Sequence, residues 1–264
     1  MNKVLIIPDV HGRKFWRETI HNNLHRVDKV IFLGDYLDPY DDEIQKHPEN
    51  MECKDFYDSA SLLKILEDIT SLKKNEPGKY ILLTGNHSDS YIWSRFRAAR
   101  RTDYRNWEKY HKFFSQNLNL FNLVFVENNV IFSHAGFTEE WTKKFCQNSG
   151  LEFKSILHTA KIIQNIPVED IHNNDNLVSL IGEISYHRGG DFPNGSFEWA
   201  DLFEHLDVKN SKLDNIIAYG EKGTFQVFGH SHIKKELITD KWACLDCEKA
   251  FIFDTETYAC SSCL

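Results

Sequence analysis

Short, uninterrupted apolar runs recur along this chain, and each of them ends in a polar turn. The first run, Val4–Ile7, stops at Pro8, which has no N–H to donate to a neighbouring strand. Apolar runs of this length are typical of strands that are buried on both faces of a sheet. Asp9 and His11 stand in the turn that follows, where Gly12 allows the backbone to bend sharply. The pattern predicts a buried strand that presents a carboxylate and an imidazole at its carboxyl end.

The same order of strand and turn recurs four more times. The further pairs are Val30–Leu33 with Asp35 and Asp38, Tyr80–Thr84 with Asn86 and His87, Val130–Ser133 with His134, and Thr224–Phe228 with His230 and His232. Open α/β sheets bind ligands at the carboxyl ends of their strands. We therefore expect these polar side chains to converge on one site.

Helical periodicity separates the first strands. Lys14–Leu24 predicts a helix with a polar face, and apolar residues recur at helical spacing in Asp58–Leu72. A long helical region, Tyr91–Asn117, follows His87 and carries five arginines: Arg95, Arg97, Arg100, Arg101 and Arg105. Guanidinium groups beside a strand-end site could form a wall that attracts phosphate. A solvated helix face is the other interpretation of this charge pattern.

Between these helices, Pro39–Asp55 is irregular and acidic, and it emerges beside the Asp35 turn. We expect it either to form part of the rim of a cleft or to be an ordinary solvated loop.

The final third of the chain is rich in short strands. Parallel strands with helices first, and antiparallel strands last, predict an α/β (α+β) fold in which two mixed sheets pack face to face with helices outside. No convincing linker interrupts the pattern, so we expect residues 1–264 to form a single domain.

Composition narrows the class of protein. The 264 residues are 41% hydrophobic, which allows a sizeable core. The net charge of −8 argues against a protein that coats nucleic acid or anionic membrane non-specifically. No apolar run approaches the ~20 residues that a membrane span needs. Met1 leads directly into the first strand without a signal-peptide layout, so we expect a cytoplasmic protein without structural disulfides.

The strand-end turns offer ligands for metal ions. The candidates are Asp9, His11, Asp35, Asn86, His134, His230 and His232. This mixture of carboxylate, imidazole and amide groups suits manganese, iron or zinc better than calcium or magnesium. Seven ligands are too many for one tetrahedral ion, but they suit two divalent ions that share a carboxylate. Two such ions, ~3.5–4 Å apart, clamp the oxygens of a phosphoester and lower the pKa of water between them. The residues therefore predict phosphoester hydrolysis.

The motifs Asp-X-His, Gly-Asp-X-X-Asp, Gly-Asn-His, His-X-Gly and Gly-His-X-His, in this order from residue 9 to residue 232, resemble the calcineurin-like metallophosphoesterase superfamily. The resemblance implies a four-layer αββα sandwich with a dinuclear metal site at the strand ends. It also implies that a hydroxide bridging the two ions attacks phosphorus.

The resemblance further implies a role for each motif residue. The first ion would be held by Asp9, His11, Asp35 and His232, and the second by Asp35, Asn86, His134 and His230. Asp35 would bridge the two ions. His87 would protonate the leaving oxygen, and Asp38 would orient it. The unperturbed pKa of histidine lies near operating pH, which suits that task.

Within the superfamily, the motifs around Asp9, Asp35 and His134 are most similar to phosphoprotein phosphatases and dinucleoside tetraphosphatases. Two positions depart from that pattern. Pro39 stands where these enzymes usually carry a phosphate-binding arginine, and Ser88 stands where they carry an acid. Arg188 is the candidate replacement, since a guanidinium can hold two phosphate oxygens at once. An ordinary arginine in a surface loop is the alternative.

The sequence therefore favours a metal-dependent phosphatase that acts on a phosphorylated small molecule or a phosphoprotein. One alternative is a phosphodiesterase or nuclease that acts on RNA, DNA or cyclic nucleotides, which the arginine run favours and the net charge opposes. Another is a catalytically silent scaffold that binds proteins.

Four cysteines near the end of the chain form a separate pattern. Cys244, Cys247, Cys260 and Cys263 have a spacing close to that of a zinc ribbon. They could hold a structural zinc in a small cysteine-rich extension, residues 244–264, or they could be free thiols. Cys244 also falls within an apparent strand, which argues for the second interpretation.

Overall fold

The computed structural model describes residues 2–40, 59–93, 99, 101–171, 173–205 and 219–263. In these residues the strands are β1 (Lys3–Ile7), β2 (Lys29–Phe32), β3 (Tyr80–Leu83), β4 (Phe121–Asn122), β5 (Phe125–Glu127), β6 (Val130–Phe132), β7 (Phe225–Phe228), β8 (Leu237–Ile238), β9 (Trp242–Cys244), β10 (Phe251–Asp254) and β11 (Cys260–Ser262). The α-helices are α1 (Phe15–Asn23), α2 (Ser59–Asn75), α3 (Asn86–Ile92), α4 (Trp107–Ser115), α5 (Glu139–Asn148), α6 (Ile156–Gln164), α7 (Val168–Ile171), α8 (Asp175–Ile181) and α9 (Leu202–His205).

The strands form two mixed sheets. The first has the order β11-β10-β1-β2-β3-β4, in which β1 to β4 are parallel and β10 is antiparallel to β1. The second has the order β5-β6-β7-β9-β8, in which β6, β7 and β9 are parallel. Each sheet therefore has a central set of parallel strands whose carboxyl ends lie along one edge.

The side chains of β1 alternate between two apolar layers, as the period of a strand requires. Val4 and Ile6 pack into a cluster shared with residues of the second sheet, including Phe132 and Val227. The intervening apolar residues of β1 join a different cluster with the buried faces of α1 and α2. Helices α5 and α6 contribute to that second cluster as well. The prediction of two mixed sheets packed face to face between helices is confirmed.

The prediction of one helical region over Tyr91–Asn117 is wrong. Helix α3 already starts at Asn86 and ends at Ile92, and α4 starts at Trp107. Before α4 the carboxylate of Asp103 accepts hydrogen bonds from the backbone N–H groups of Arg105 and Asn106, and this local turn interrupts the helix. Arg95, Arg97, Arg100 and positions 41–55 of the acidic segment lie outside the described residues. None of the described helices is long and apolar enough to cross a membrane.

Candidate metal centre

Five parallel strands bring polar side chains to one buried place. Asp9 follows β1, Asp35 follows β2, Asn86 opens the helix after β3, His134 follows β6 and His230 follows β7. All five side chains are buried. The two sheets meet here through side chains, because Nε2 of His134 from the second sheet lies 3.4 Å from Oδ2 of Asp35 in the first. The structure thus brings the predicted strand-end residues together.

The side chains of His134, Asn86 and His230 form one half of the centre. Nε2 of His134 lies 2.9 Å from Oδ1 of Asn86 and 3.1 Å from Nδ1 of His230. Nδ1 of His134 donates to the carbonyl of Leu33 at 2.9 Å, so Nε2 is the atom that this ring would offer to a metal ion. Imidazole nitrogens and an amide oxygen that converge at a buried place are donors that borderline transition-metal ions accept. The donor set therefore fits a metal ion.

His11 and Asp9 form the other half. Nδ1 of His11 donates to the carbonyl of Leu37 at 2.9 Å. Its Nε2 lies 3.8 Å from Oδ2 of Asp9 and 3.6 Å from Oδ2 of Asp35. In metal sites, a histidine ligand almost always donates its other ring N–H to a carbonyl or carboxylate in this way. Asp35 lies between the two halves, since the same oxygen faces both His11 and His134.

The buried carboxylates also make this site electrostatically favourable for positive charge. Burial, and after it the charge of Asp246, raise the pKa of Asp9 to about 8. Burial alone would lower the pKa of His134, but the carboxylates of Asp35 and Asp9 raise it to about 10. The candidate ligand atoms form two groups, and the atoms within each group all lie within 4.8 Å of one another. The first group is His11, Asp35 and His87, and the second is Asp35, His134 and His230. Each group has the composition to hold one metal ion, and Asp35 is common to both.

The backbone at the site adopts a conformation that residues other than glycine seldom take. His11, Asp35, Asp38 and His230 all have positive φ angles, from 44° to 63°. Such conformations cost on the order of 1–3 kcal/mol each and persist where the surrounding structure holds them. Gly34 is confined by its neighbour, because a Cβ there, at φ +113°, would lie 2.2 Å from the carbonyl oxygen of Thr84. Backbone strain thus occurs in the turns that position the candidate ligands.

His87 lies next to this cluster in a hydrogen-bonded chain. Its Nδ1 lies 2.7 Å from Oδ2 of Asp38, and its backbone N–H donates to Oδ1 of Asp35 at 3.0 Å. The hydroxyl of Tyr91 donates to the other carboxylate oxygen of Asp38, and it accepts a hydrogen bond from the N–H of Asp103 at 2.7 Å. Both oxygens of Asp38 are therefore engaged, which fixes the ring of His87. Tyr91 was not identified as a site residue from the sequence, where it was only the first residue of the predicted helical region.

His232 is not part of either group of ligand atoms. Its side chain is 45% exposed, with Nδ1 3.8 Å from Oδ2 of Asp246 and Nε2 3.8 Å from Oε1 of Glu248. Asp246 was missed at the sequence level, although the same strand-and-turn pattern could have found it. It follows β9 as Asp9 follows β1, but Cys244, the last residue of that strand, also belongs to the cysteine pattern, which drew the interpretation of this segment.

A cleft of about 640 Å³ opens over the centre, and two arginines line it. Nε of Arg188 forms an ion pair with the buried Asp201, and Nη2 donates to the backbone carbonyl of His230 at 2.9 Å. Arg101 stacks on Tyr40, with its guanidinium carbon 3.6 Å from the ring centroid, and Nε donates to the carbonyl of Asp38 at 3.1 Å. Nη2 of Arg101 is buried and has no hydrogen-bond partner within the described part of the chain.

The structure does not bring the four C-terminal cysteines together. Sγ of Cys244 is buried between the sheets, 3.6 Å from the carbonyls of Gly229 and Ser231. Cys260 packs against the cluster between the sheets, whereas Cys263 packs against the helix-side cluster. In the part of the chain that the structure describes, every group of three or more metal-type ligands belongs to the strand-end centre.

Comparison with known proteins gives a family match. The family model described as calcineurin-like phosphoesterase matches residues 2–234. A protein serine/threonine phosphatase structure from Saccharomyces cerevisiae, with similarity to human phosphatase PP5, is 12% identical; the alignment covers 96% of this chain and 73% of that chain, with a TM-score of 0.47. A metallophosphoesterase structure from Sphaerobacter thermophilus is 19% identical, with 51% and 47% covered and a TM-score of 0.27. No curated protein matches the chain.

Proposed function

This chain belongs to the calcineurin-like phosphoesterase family, and from that premise we propose that it is a two-metal phosphatase that hydrolyses phosphomonoesters of phosphoprotein or nucleotide type. The observation that carries the proposal is the position of Asp35, whose Oδ2 lies 3.6 Å from Nε2 of His11 and 3.4 Å from Nε2 of His134. One carboxylate common to two ligand sets is the arrangement that two-metal phosphoester hydrolysis uses.

Each candidate ligand has a place in this proposal. The ligands of the first ion are Asp9, His11, Asp35 and His232, and those of the second are Asp35, Asn86, His134 and His230. Manganese, iron or zinc bound there would lower the pKa of water and neutralise the charge that develops on the phosphoryl oxygens. The carbonyls of Leu33 and Leu37 hold two of the histidine rings in the orientation that this requires.

His87 is the proposed general acid. Because its Nδ1 is bound to Asp38, its Nε2 is the atom that carries the proton to the leaving oxygen. The carboxylate of Asp38 holds the ring in place through this hydrogen bond, and the hydroxyl of Tyr91 binds the other oxygen of the same carboxylate. In this proposal His87 supplies the proton, Asp38 and Tyr91 orient its ring, and none of the three belongs to the proposed ligand sets.

The phosphate-binding residue is proposed to be Arg101, with Arg188 in a secondary role. Arg188 is already neutralised by Asp201. Arg101 is fixed by Tyr40 and by the carbonyl of Asp38, and Nη2 lacks a partner among the described residues. Its position beside the Asp38 turn compensates for Pro39. This extends the sequence interpretation, in which Arg188 was the candidate and Arg101 one member of a charged run.

Arg101→Gln is expected to raise the KM for p-nitrophenyl phosphate and the inhibition constant of inorganic phosphate by about 10–100-fold, which corresponds to the loss of a charge-assisted hydrogen bond. Two bound ions per chain should remain, as measured by elemental analysis. Arg105→Gln is the matched control, because Arg105 is exposed and belongs to the same segment. If only Arg188→Gln weakens phosphate inhibition, Arg188 is the phosphate-binding residue and the assignment of Arg101 is wrong.

The function itself is tested by metal loading and hydrolysis together. We expect the metal-stripped protein to regain activity with Mn²⁺, to bind two ions per chain, and to prefer p-nitrophenyl phosphate to bis-p-nitrophenyl phosphate. Preference for the diester would favour a phosphodiesterase or nuclease instead. Two bound ions with neither ester cleaved would contradict a general phosphatase and direct attention to a scaffold role.

A further inference from the structure

Asp246 stands at the same strand-end edge as the candidate ligands, although it lies outside the five motifs. It follows β9, which pairs with β7 in parallel. The N–H of Leu245 donates to the carbonyl of Phe228 at 2.9 Å, and the carbonyl of Asp246 accepts from the N–H of Ile233 at 2.9 Å. These two bonds fix Asp246 against the loop that carries His230 and His232.

The side chain of Asp246 is buried, with an exposure of 0%. Among the described residues, neither of its carboxylate oxygens has a hydrogen-bond partner. A buried carboxylate is unfavourable unless a hydrogen bond or a positive group compensates it. Among the described residues, the basic group within ion-pair distance is His232, whose Nδ1 lies 3.8 Å from Oδ2.

Asp246 also faces Asp9. A Cβ built on Gly229 would lie 2.2 Å from Oδ1 of Asp9 and 3.8 Å from Cβ of Asp246, so both side chains lie beside this glycine. Two neighbouring buried carboxylates repel each other, so this side of the centre favours additional positive charge. An ion held by Asp9 and His11 would supply that charge. The position of Asp246 is therefore explained by the first ion and by His232 together.

Three of the proposed histidine ligands would bind an ion through Nε2, and the acceptors on the Nδ1 side of their rings can be compared. His11 donates its Nδ1–H to the carbonyl of Leu37, and His134 donates to that of Leu33. For His232, the acceptor on the Nδ1 side is the carboxylate of Asp246. A carboxylate behind a histidine ligand is a common arrangement in metal sites, where it fixes the tautomer and the direction of the ring.

We propose that Asp246 is a positioning residue of the metal centre, which accepts a hydrogen bond from Nδ1 of His232 and so directs Nε2 of His232 towards the ion held by Asp9 and His11. The separation of 3.8 Å shortens by about 1 Å when that hydrogen bond forms. The inference rests on the proposed function, since it requires ions in the centre.

Asp246→Asn is expected to weaken the binding of Mn²⁺ at one of the two sites by about 10–100-fold, measured by calorimetric titration of the metal-stripped protein. Asparagine preserves the volume of the buried side chain. Glu248→Gln is the matched control. Glu248 lies at the same distance of 3.8 Å from the same ring, but its side chain is 43% exposed and its pairing is screened by water. Its replacement should leave Mn²⁺ binding unchanged.

A double-mutant cycle separates positioning from a simple effect of charge. His232→Gln should weaken the same Mn²⁺ site, and adding Asp246→Asn to it should weaken binding no further. An equal loss from Asp246→Asn in both backgrounds would overturn the proposal, as would wild-type binding of both ions by His232→Gln. Because His232 is exposed, His232→Gln is expected to fold, and its Mn²⁺ binding can overturn the proposal even if Asp246→Asn fails to fold. Because the probe is Mn²⁺ alone, wild-type protein that binds two ions without hydrolysis would contradict the proposed function and leave this cycle interpretable.

Discussion

His87→Ala is expected to lower kcat for phenyl phosphate by about 10²–10⁴-fold, the range that general acid catalysis contributes. The loss for p-nitrophenyl phosphate should be much smaller, because p-nitrophenolate departs without being protonated. The basis is geometric: Nδ1 of His87 lies 2.7 Å from Asp38, so Nε2 is left to donate a proton. The measurement is kcat for both esters with the Mn²⁺-loaded protein.

A matched control for this variant is His187→Ala, since His187 also lines the cleft but is exposed. It should change neither kcat nor the ratio between the two esters. An equal loss for both esters in His87→Ala would indicate a positioning role. Because an atom of His87 lies within 4.8 Å of the ligand atoms of His11 and Asp35, bound metal must be counted as well. A fall from two ions to one would make His87 a ligand rather than an acid.

The sheets and their site edge could be predicted from the sequence because buried parallel strands leave a direct trace. Strands buried on both faces are uninterrupted apolar runs, and their carboxyl ends are where polar residues collect. Val4–Ile7 and Asp9 show both signals, and Asp9 lies where that pattern places it. The family resemblance drawn from the five motifs is confirmed by the match over residues 2–234.

The parts that could not be predicted depend on contacts between distant segments. The break between α3 and α4 is stabilised by the indole N–H of Trp107, which donates to the carbonyl of Ser90 at 2.8 Å, a contact that periodicity does not reveal. The spacing of the four cysteines is close to that of a zinc ribbon, but Cys260 packs against the cluster between the sheets and Cys263 against the helix-side cluster. Asp246 follows β9 in the same strand-and-turn pattern, but its place beside the other candidate ligands depends on the parallel pairing of β9 with β7, which the sequence does not show.

The choice of the arginine proposed to bind phosphate illustrates the same limit. The sequence indicates that Pro39 stands where an arginine is expected, but not which residue compensates. Arg101 is far from Asp38 in sequence, yet its Nε donates to the carbonyl of Asp38 at 3.1 Å. A contact of this kind depends on tertiary structure, whereas its place between the His134 and His230 motifs made Arg188 the candidate from the sequence.

Asp35→Asn is expected to have the largest effect on the metal centre, since its carboxylate faces both halves. Oδ2 lies 3.6 Å from Nε2 of His11 and 3.4 Å from Nε2 of His134. Replacing that oxygen donor removes negative charge from both proposed sites. We expect bound Mn²⁺ to fall from two ions towards one or none, and kcat to fall by at least about 10³-fold, which corresponds to roughly 4 kcal/mol of lost transition-state stabilisation.

Asp38→Asn is the control for this variant, because Asp38 is also buried and also has a positive φ in the same turn. It should keep two ions per chain and lose activity through His87 instead. Thermal unfolding gives a second readout. An ion present at about 100 times its Kd stabilises the native state by about 2.7 kcal/mol, so Mn²⁺ should raise the Tm of the wild type and of Asp38→Asn but raise that of Asp35→Asn much less. Two ions retained by Asp35→Asn, with an undiminished rise in Tm, would exclude a bridging carboxylate, because neither half of the centre would then depend on the residue that joins them.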